Sequence, residues 1–158
     1  MIKTDRLLLR RWEEKDRKRF IELAEDPEVS RWTGRTVPAS DLFSYYMSLD
    51  TSFAVELEGE VIGNVSFFRN STTSSVKRLS VFEASFYFLP QYQGQGYATE
   101  AFSEACRSMF SNKTADAVLV GILDGNSRAV SFITGNGGSY CFERKTGNGE
   151  LEKFYVLV

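Results

Sequence analysis

Apolar residues recur along this chain with two periods, and the switches between them mark its elements. Arg6-Leu7-Leu8-Leu9-Arg10-Arg11-Trp12 reads as an opening strand. A charged helix is predicted over about 14–26, with Phe20, Ile21, Leu23 and Ala24 as its apolar side and Pro27 as its stop. A second helix is predicted from Ser40, whose hydroxyl can cap it, through Leu42, Phe43, Tyr46, Met47 and Leu49. Two strand-like runs, Ser52–Leu57 and Val61–Arg69, flank Glu58-Gly59-Glu60, a hairpin signal in which Gly59 can take a positive φ. Asn70–Ser75 is polar and reads as an exposed loop; Val81–Leu89, rich in aromatics, reads as a buried central strand closed by Pro90. The cleanest helical period runs over 96–110, where Ala98, Ala101, Phe102, Ala105, Cys106, Met109 and Phe110 recur at steps of three and four. Ala117–Leu123 is continuously apolar, as buried parallel strands are. Asn126 or Ser127 can cap a short helix to about Ile133, broken by Gly135–Gly138. Ser139–Lys145 and Leu151–Leu157 then form an antiparallel pair around Thr146-Gly147-Asn148-Gly149.

The element order is β-α-α-β-β-β-α-β-α-β-β, an α/β fold with a mixed sheet and flanking helices. At 158 residues it is expected to be one domain, 1–158. A net charge of −2 gives no electrostatic footprint for nucleic acid. No apolar run approaches the ~20 residues of a membrane helix, and the strand-like start is unlike a signal peptide. Cys106 and Cys141 make neither a metal spacing nor a disulfide framework, and both read as core residues; a cytoplasmic location is the expectation. The chain has no histidine, so acid–base chemistry falls to Glu, Asp, Tyr, Cys, Lys or water.

Chemistry concentrates in Leu89-Pro90-Gln91-Tyr92-Gln93-Gly94-Gln95-Gly96-Tyr97-Ala98, between the buried strand and the amphipathic helix. A helix start presents unpaired N–H groups and the positive end of its dipole, which favour a phosphate. Gly94 and Gly96 let the backbone approach it closely, and Gln91, Gln93 and Gln95 can add neutral donors. The segment is not a dinucleotide fingerprint, because Thr99 holds the third glycine position, and no Gly-Lys-Ser/Thr follows to make a P-loop.

Gln91-x-x-Gly94-x-Gly96 followed by Tyr97-Ala98-Thr99-Glu100-Ala101 resembles the coenzyme A signature of the GNAT N-acetyltransferases. Thr4-Asp5-Arg6-Leu7-Leu8-Leu9-Arg10 and Val61-Ile62-Gly63 resemble the branch that includes bacterial ribosomal-protein N-terminal acetyltransferases. The resemblance spans nearly the whole chain. It implies a mostly antiparallel mixed sheet whose central strands splay around acetyl-CoA. The amides of about Gln93–Ala98 would then take the pyrophosphate, with Gln91 and Thr99 at the ends of the contact region. Phe88, Leu89 and Asn126 would contact the pantetheine or acetyl arm, and a backbone N–H near Phe88 or Leu89 would hold the oxyanion. From the residues alone, a helix cap is the preferred reading of Asn126.

Acetyl transfer needs a neutral amine: at pH 7 a lysine-like amine costs about 4.6 kcal/mol to deprotonate, a peptide α-amine only about 1 kcal/mol. Glu83 matches an acidic position common in the family, which makes it the candidate base; the alternative is an ordinary strand-edge carboxylate. The family's usual donors to the leaving thiolate, a Tyr seven residues or a Ser three residues after the matched Asn, are Ile133 and Ala129 here. Ser131, Tyr140 or water can substitute, or the thiolate leaves unaided. Trp32, Phe43, Tyr45, Tyr46 and Phe53 are candidates to line the acceptor pocket, although core packing also accounts for them.

The expected function is acetyl-CoA-dependent acetylation of a primary amine on a protein N-terminus, polyamine or small molecule, with no metal. A non-catalytic coenzyme A sensor of the same fold is the alternative, and a nucleotide-binding regulatory module a third. The C-terminal strands are of a kind that can pair across a homodimer.

Overall fold

The structure, a computed structural model, describes residues 1–33, 35–70 and 79–158. Most of the predicted 70–75 loop therefore lies outside the described residues. Eight strands follow the order β1-β2-β3-β4-β5-β6-β8-β7. The described pairings are antiparallel except β5 with β6, so the sheet is mixed and mostly antiparallel, with five α-helices among the described residues. Contacts divide the chain into two compact units, Met1–Ser66 with Ser85–Ala105, and Phe67–Ala84 with Cys106–Val158.

The first unit opens with β1 (Ile2–Lys3) and β2 (Leu7–Arg11), paired antiparallel. Helices α1 (Arg17–Glu25), α2 (Pro27–Thr33) and α3 (Ala39–Ser48) follow, the first entered through a 3-10 turn at Glu14–Asp16. The hairpin of β3 (Ser52–Leu57) and β4 (Glu60–Arg69) turns at Glu58 and Gly59, both at positive φ. That backbone twist suits a two-residue connection. Phe20, Leu23 and Phe43 are fully buried, and the Trp12, Phe43 and Tyr46 rings stand 5.1–6.0 Å from one another's shared neighbour Phe20 or from each other. Phe43 is thus a core residue, not a pocket wall. Arg10 ties β2 to the 3-10 turn through Asp16 (2.8 Å) and to β3 through Glu56 (2.7 Å).

Pro27 does not merely stop a helix. It starts α2, which the sequence reading missed: proline's fixed φ and missing N–H suit a first helical turn. Asp26 Oδ1 accepts from the N–H groups of Glu28 and Val29 at 2.9 and 3.3 Å, so the true cap precedes the proline. Ser40 likewise is not the cap of α3, because the helix already begins at Ala39, with Pro38 as its boundary residue.

Strand β5 (Val81–Phe88) enters the first unit at Ser85. Its end lies against β4 at Gly63, where a Cβ would stand 2.3 Å from the Phe88 ring. Only glycine leaves room for that ring.

In the second unit, β6 (Ala117–Leu123) pairs in parallel with β5 from Val81↔Ala117 to Glu83↔Leu119, and antiparallel with β8 (Leu151–Leu157). Val81, Leu119 and Phe154 form a buried cluster. Helix α4 (Tyr97–Ser111) contributes its C-terminal half, including Cys106, whose thiol is pushed up to about 12 by burial, as for an inert core thiol. α5 (Ser127–Gly135) follows β6. β7 (Ser139–Lys145) is exposed along its whole length, so Cys141 is not a core residue as its sequence suggested. As an edge strand it pairs with β8 alone, and its Phe142 stacks on Phe154 at 4.6 Å.

Candidate functional site

The strand–helix loop is built to leave its backbone donors open. Pro90 starts a 3-10 turn, Pro90–Tyr92, in which Tyr92 and Gln93 donate to the carbonyls of Leu89 and Pro90. The helical series resumes with Glu100 donating to the Gly96 carbonyl at 3.0 Å. Between them the N–H groups of Gly94, Gln95, Gly96, Tyr97, Ala98 and Thr99 meet no acceptor among the described residues. Gly94 and Gly96 sit at φ +77° and +84°, a conformation that side-chain-bearing residues rarely adopt, and all of Gly94–Gly96 is exposed. Consecutive open N–H groups at a helix start form a concavity for an anion.

The loop is held in this shape by its own side chains. Gln93 Nε2 donates to the Phe88 carbonyl at 3.0 Å and Gln95 Nε2 to the Gln91 carbonyl at 3.2 Å. Those two amides, expected to point donors at a phosphate, instead brace the turn, because the loop's carbonyls lie within their reach.

Arg6 was not singled out from the sequence, yet it stands beside the loop. Its Nη1 donates to the Gln95 carbonyl at 3.0 Å, its Nε pairs with Glu100 at 2.7 Å, and its guanidinium lies 4.4 Å over the Tyr97 ring. A Cβ on Gly96 would come within 3.2 Å of Arg6 Nη2. Glu100 also accepts from the Thr4 hydroxyl and the Arg6 N–H. Burial alone would raise the Glu100 carboxyl, but those Thr4 and Arg6 contacts outweigh it and hold the group below its usual range. The bend between β1 and β2 and the helix are thus locked together at the loop by residues about ninety positions apart, which no local period can announce.

The N–H of Leu89, expected to meet an oxyanion, donates to the Ile62 carbonyl at 3.0 Å. An oxyanion there would receive at best a shared bond, because the sheet has already engaged that hydrogen.

In the second unit, Glu83 on β5 faces Arg144 at 4.0 Å, and Arg144 also reaches Glu152 at 3.4 Å. Burial raises the Glu83 carboxyl above its usual range, Arg144 opposes the rise and Glu152 adds to it. A half-buried carboxylate whose affinity for protons is raised is suited to act as a base. Asn126 Oδ1 caps α5 by accepting from the Ala129 N–H at 3.2 Å, while its amide nitrogen donates to no described residue. Ile133 is fully buried and Tyr140 is exposed and packed edge-on to Tyr155.

The profile of the acetyltransferase (GNAT) domain matches residues 6–139, which is most of the chain and includes the whole loop. This chain belongs to the GNAT acetyltransferase family. Solved structures give the same fold. An acetyltransferase of the GNAT family from Bacillus anthracis superposes with a TM-score of 0.83 at 23% identity, covering 99% of this chain and 97% of that one. A ribosomal-protein-alanine N-acetyltransferase from Brucella melitensis gives 0.77 at 18% identity, over 96% and 99% of the two chains. A spermidine N-acetyltransferase from Vibrio cholerae, in complex with CoA and spermine, gives 0.78 at 17% identity, over 98% and 96%. No curated protein sequence matches it. In this GNAT domain, no described group of His, Cys, Asp and Glu residues can hold a metal ion, and no described helix is long and apolar enough to cross a membrane.

Proposed function

We propose that this GNAT domain is an acetyl-CoA-dependent N-acetyltransferase that acetylates a primary amine by direct attack. The observation that carries the reading is the row of open N–H groups from Gly94 to Thr99, beside the Arg6 guanidinium. Acetyl-CoA, when bound, supplies an activated acyl group on a thiol leaving group.

The chain's own residues supply position and proton transfer. Open amides take the diphosphate, with Gly94 and Gly96 clearing the approach and Gln91, Gln93 and Gln95 shaping the turn. Phe88 and Leu89 would hold the pantetheine or acetyl arm, and Asn126 has its amide N–H2 group to offer it. Glu83 takes the proton from the ammonium form of the acceptor, directly or through water, which matters most for lysine-like amines. Holding amine and acyl group together removes much of the entropic barrier.

A second reading, a coenzyme A-binding sensor, is favoured by one observation: the positions where relatives place a thiolate donor hold Ala129 and the buried Ile133. Calorimetry with coenzyme A and thiol release with an amine panel separate the two. Binding with turnover is the expected result, and binding without turnover on any amine supports the sensor. Gly96→Val forces a β-branched residue into positive φ against Arg6, and should weaken coenzyme A binding at least about tenfold. An unchanged affinity would remove the loop from the binding site.

A further inference from the structure

Glu83 and Arg144 meet on a face of the sheet that a second carboxylate shares. The strand register sets Glu83 beside Leu119, Gly121 opposite Phe154, and both Leu123 and Arg144 opposite Glu152, so these residues lie on one face. Across it Arg144, from the edge strand β7, reaches over β8 and β6 toward a carboxylate on β5. Two features of the floor let it lie there. Its guanidinium rests 4.5 Å over the Phe154 ring. Gly121 lacks the Cβ that would collide with Glu152 Oε1 and stand 2.9 Å from that same ring.

The guanidinium is shared unevenly. Its Nε donates to Glu152 Oε2 at 3.4 Å, while its Nη2 stands 4.0 Å from Glu83 Oε1, beyond hydrogen-bond reach. Glu152 is the more buried carboxylate, 18% exposed against 31% for Glu83, so water weakens its pull on the cation less. Glu83 thus faces a cation that Glu152 keeps at a distance. Its other oxygen, Oε2, meets no donor among the described residues, which leaves it open to receive a proton. The neighbouring charges lie elsewhere. β6 carries no ionisable side chain, and Lys153 on β8 pairs with Asp124 at 3.4 Å. Alternation turns Glu143 and Lys145 to the other face of β7, and Phe82, with Arg69 over its ring, to the other face of β5. Asp116 accepts from the Ser80 N–H before β5 begins, and Arg128 on α5 is exposed. Burial raises the Glu83 carboxyl most, and of the two charges acting on it Arg144 lowers it and Glu152 raises it.

We propose that Arg144 and Glu152 are positioning residues for Glu83: Arg144 keeps the base ionised with one oxygen open, and Glu152 limits that effect by holding the guanidinium back. The inference rests on the reading of Glu83 as the base of an amine acetyltransferase. It adds the two residues that set the pH at which that base works.

The test follows the Glu83 side-chain carboxyl by carboxyl-carbon NMR across pH in the full chain. Beside it, the acid limb of kcat/KM is measured for a lysine-like amine with acetyl-CoA. Arg144→Met removes the cation and leaves Glu152 facing the base, so titration and limb should both move up by about one pH unit. Glu152→Gln keeps the shape, removes the competing carboxylate and lets Arg144 close on Glu83, so both should move down by about half a unit. Arg144→Lys should fall between Arg144→Met and the wild type, because an ammonium keeps the charge without the planar fork. Opposite shifts from two neighbouring substitutions are not what a general loosening of the sheet would give. A Glu83 titration that stays in place in these variants, or moves the same way in Arg144→Met and Glu152→Gln, would overturn the inference. So would an acid limb that ignores a shifted titration. Absence of turnover with every amine sinks the acetyltransferase reading instead, and the carboxyl titration still decides what Arg144 and Glu152 do to Glu83.

Discussion

Glu83 shows how one residue's surroundings set its chemistry. Burial raises its carboxyl, with Arg144 pulling the other way and Glu152 reinforcing the rise. As a base it works only when ionised, so kcat/KM should climb as pH rises through a value above the ordinary carboxylate range. Glu83→Gln should remove that acid limb and slow a lysine-like acceptor by about 100-fold, with a smaller effect on an α-amine. A limb that persists in the variant would assign it to another group. The stability sign is consistent: with the folded value raised, the contribution is full at low pH and is lost as pH rises through it. The residue itself was legible in the sequence as a strand carboxylate; Arg144, sixty-one positions away and deciding half its environment, was not.

At the scale of elements, the loop depends on its brace. Arg6, in the bend just before β2, holds the Gln95 carbonyl while Glu100 on α4 holds Arg6. Glu100→Gln keeps the size of the side chain and removes the charge that anchors Arg6. It should therefore weaken coenzyme A binding several-fold without any group contacting the ligand being altered, and Glu100→Asp should restore less than the wild type because its shorter arm cannot span both Thr4 and Arg6. Titration of both variants with coenzyme A checks this; equal affinities throughout would leave the brace without a role in binding. Periodicity located α4 within one residue at either end and β3, β6, β7 and β8 at their observed limits, because each has a clear apolar pattern between turn residues. α2 escaped it: seven residues carry a single buried apolar side chain, Val29, and a proline that sequence reads as a stop serves as its first residue.

For the molecule as a whole, the absence of histidine shapes its response to pH. With 19 Lys and Arg against 21 Asp and Glu, few ordinary groups change charge between about pH 6 and 8. Stability to urea should be nearly flat across that window. Below it, Asp16 governs: burial would raise its carboxyl, but Arg10 and the Glu13 backbone outweigh that and hold it below its usual range. A lowered folded value means stability present above the ordinary carboxylate range and lost as pH falls through the lowered one. Asp16→Asn should cost roughly 3 kcal/mol at pH 7 by leaving Arg10 without its main partner, and should blunt the fall in acid. A variant with wild-type acid sensitivity would show that other carboxylates control the transition. Local patterning was enough to determine, from sequence, the mixed sheet and the element order apart from β1 and α2, and the glycine-bearing loop carried the resemblance to the family, since each depends on neighbours in the chain. What only the tertiary structure decided were the contacts made by distant residues: the Arg6 brace, the engaged N–H of Leu89 and the exposure of Cys141. Hydrogen bonding and burial are properties of neighbours in space, and a chain does not spell out in order which residues those will be.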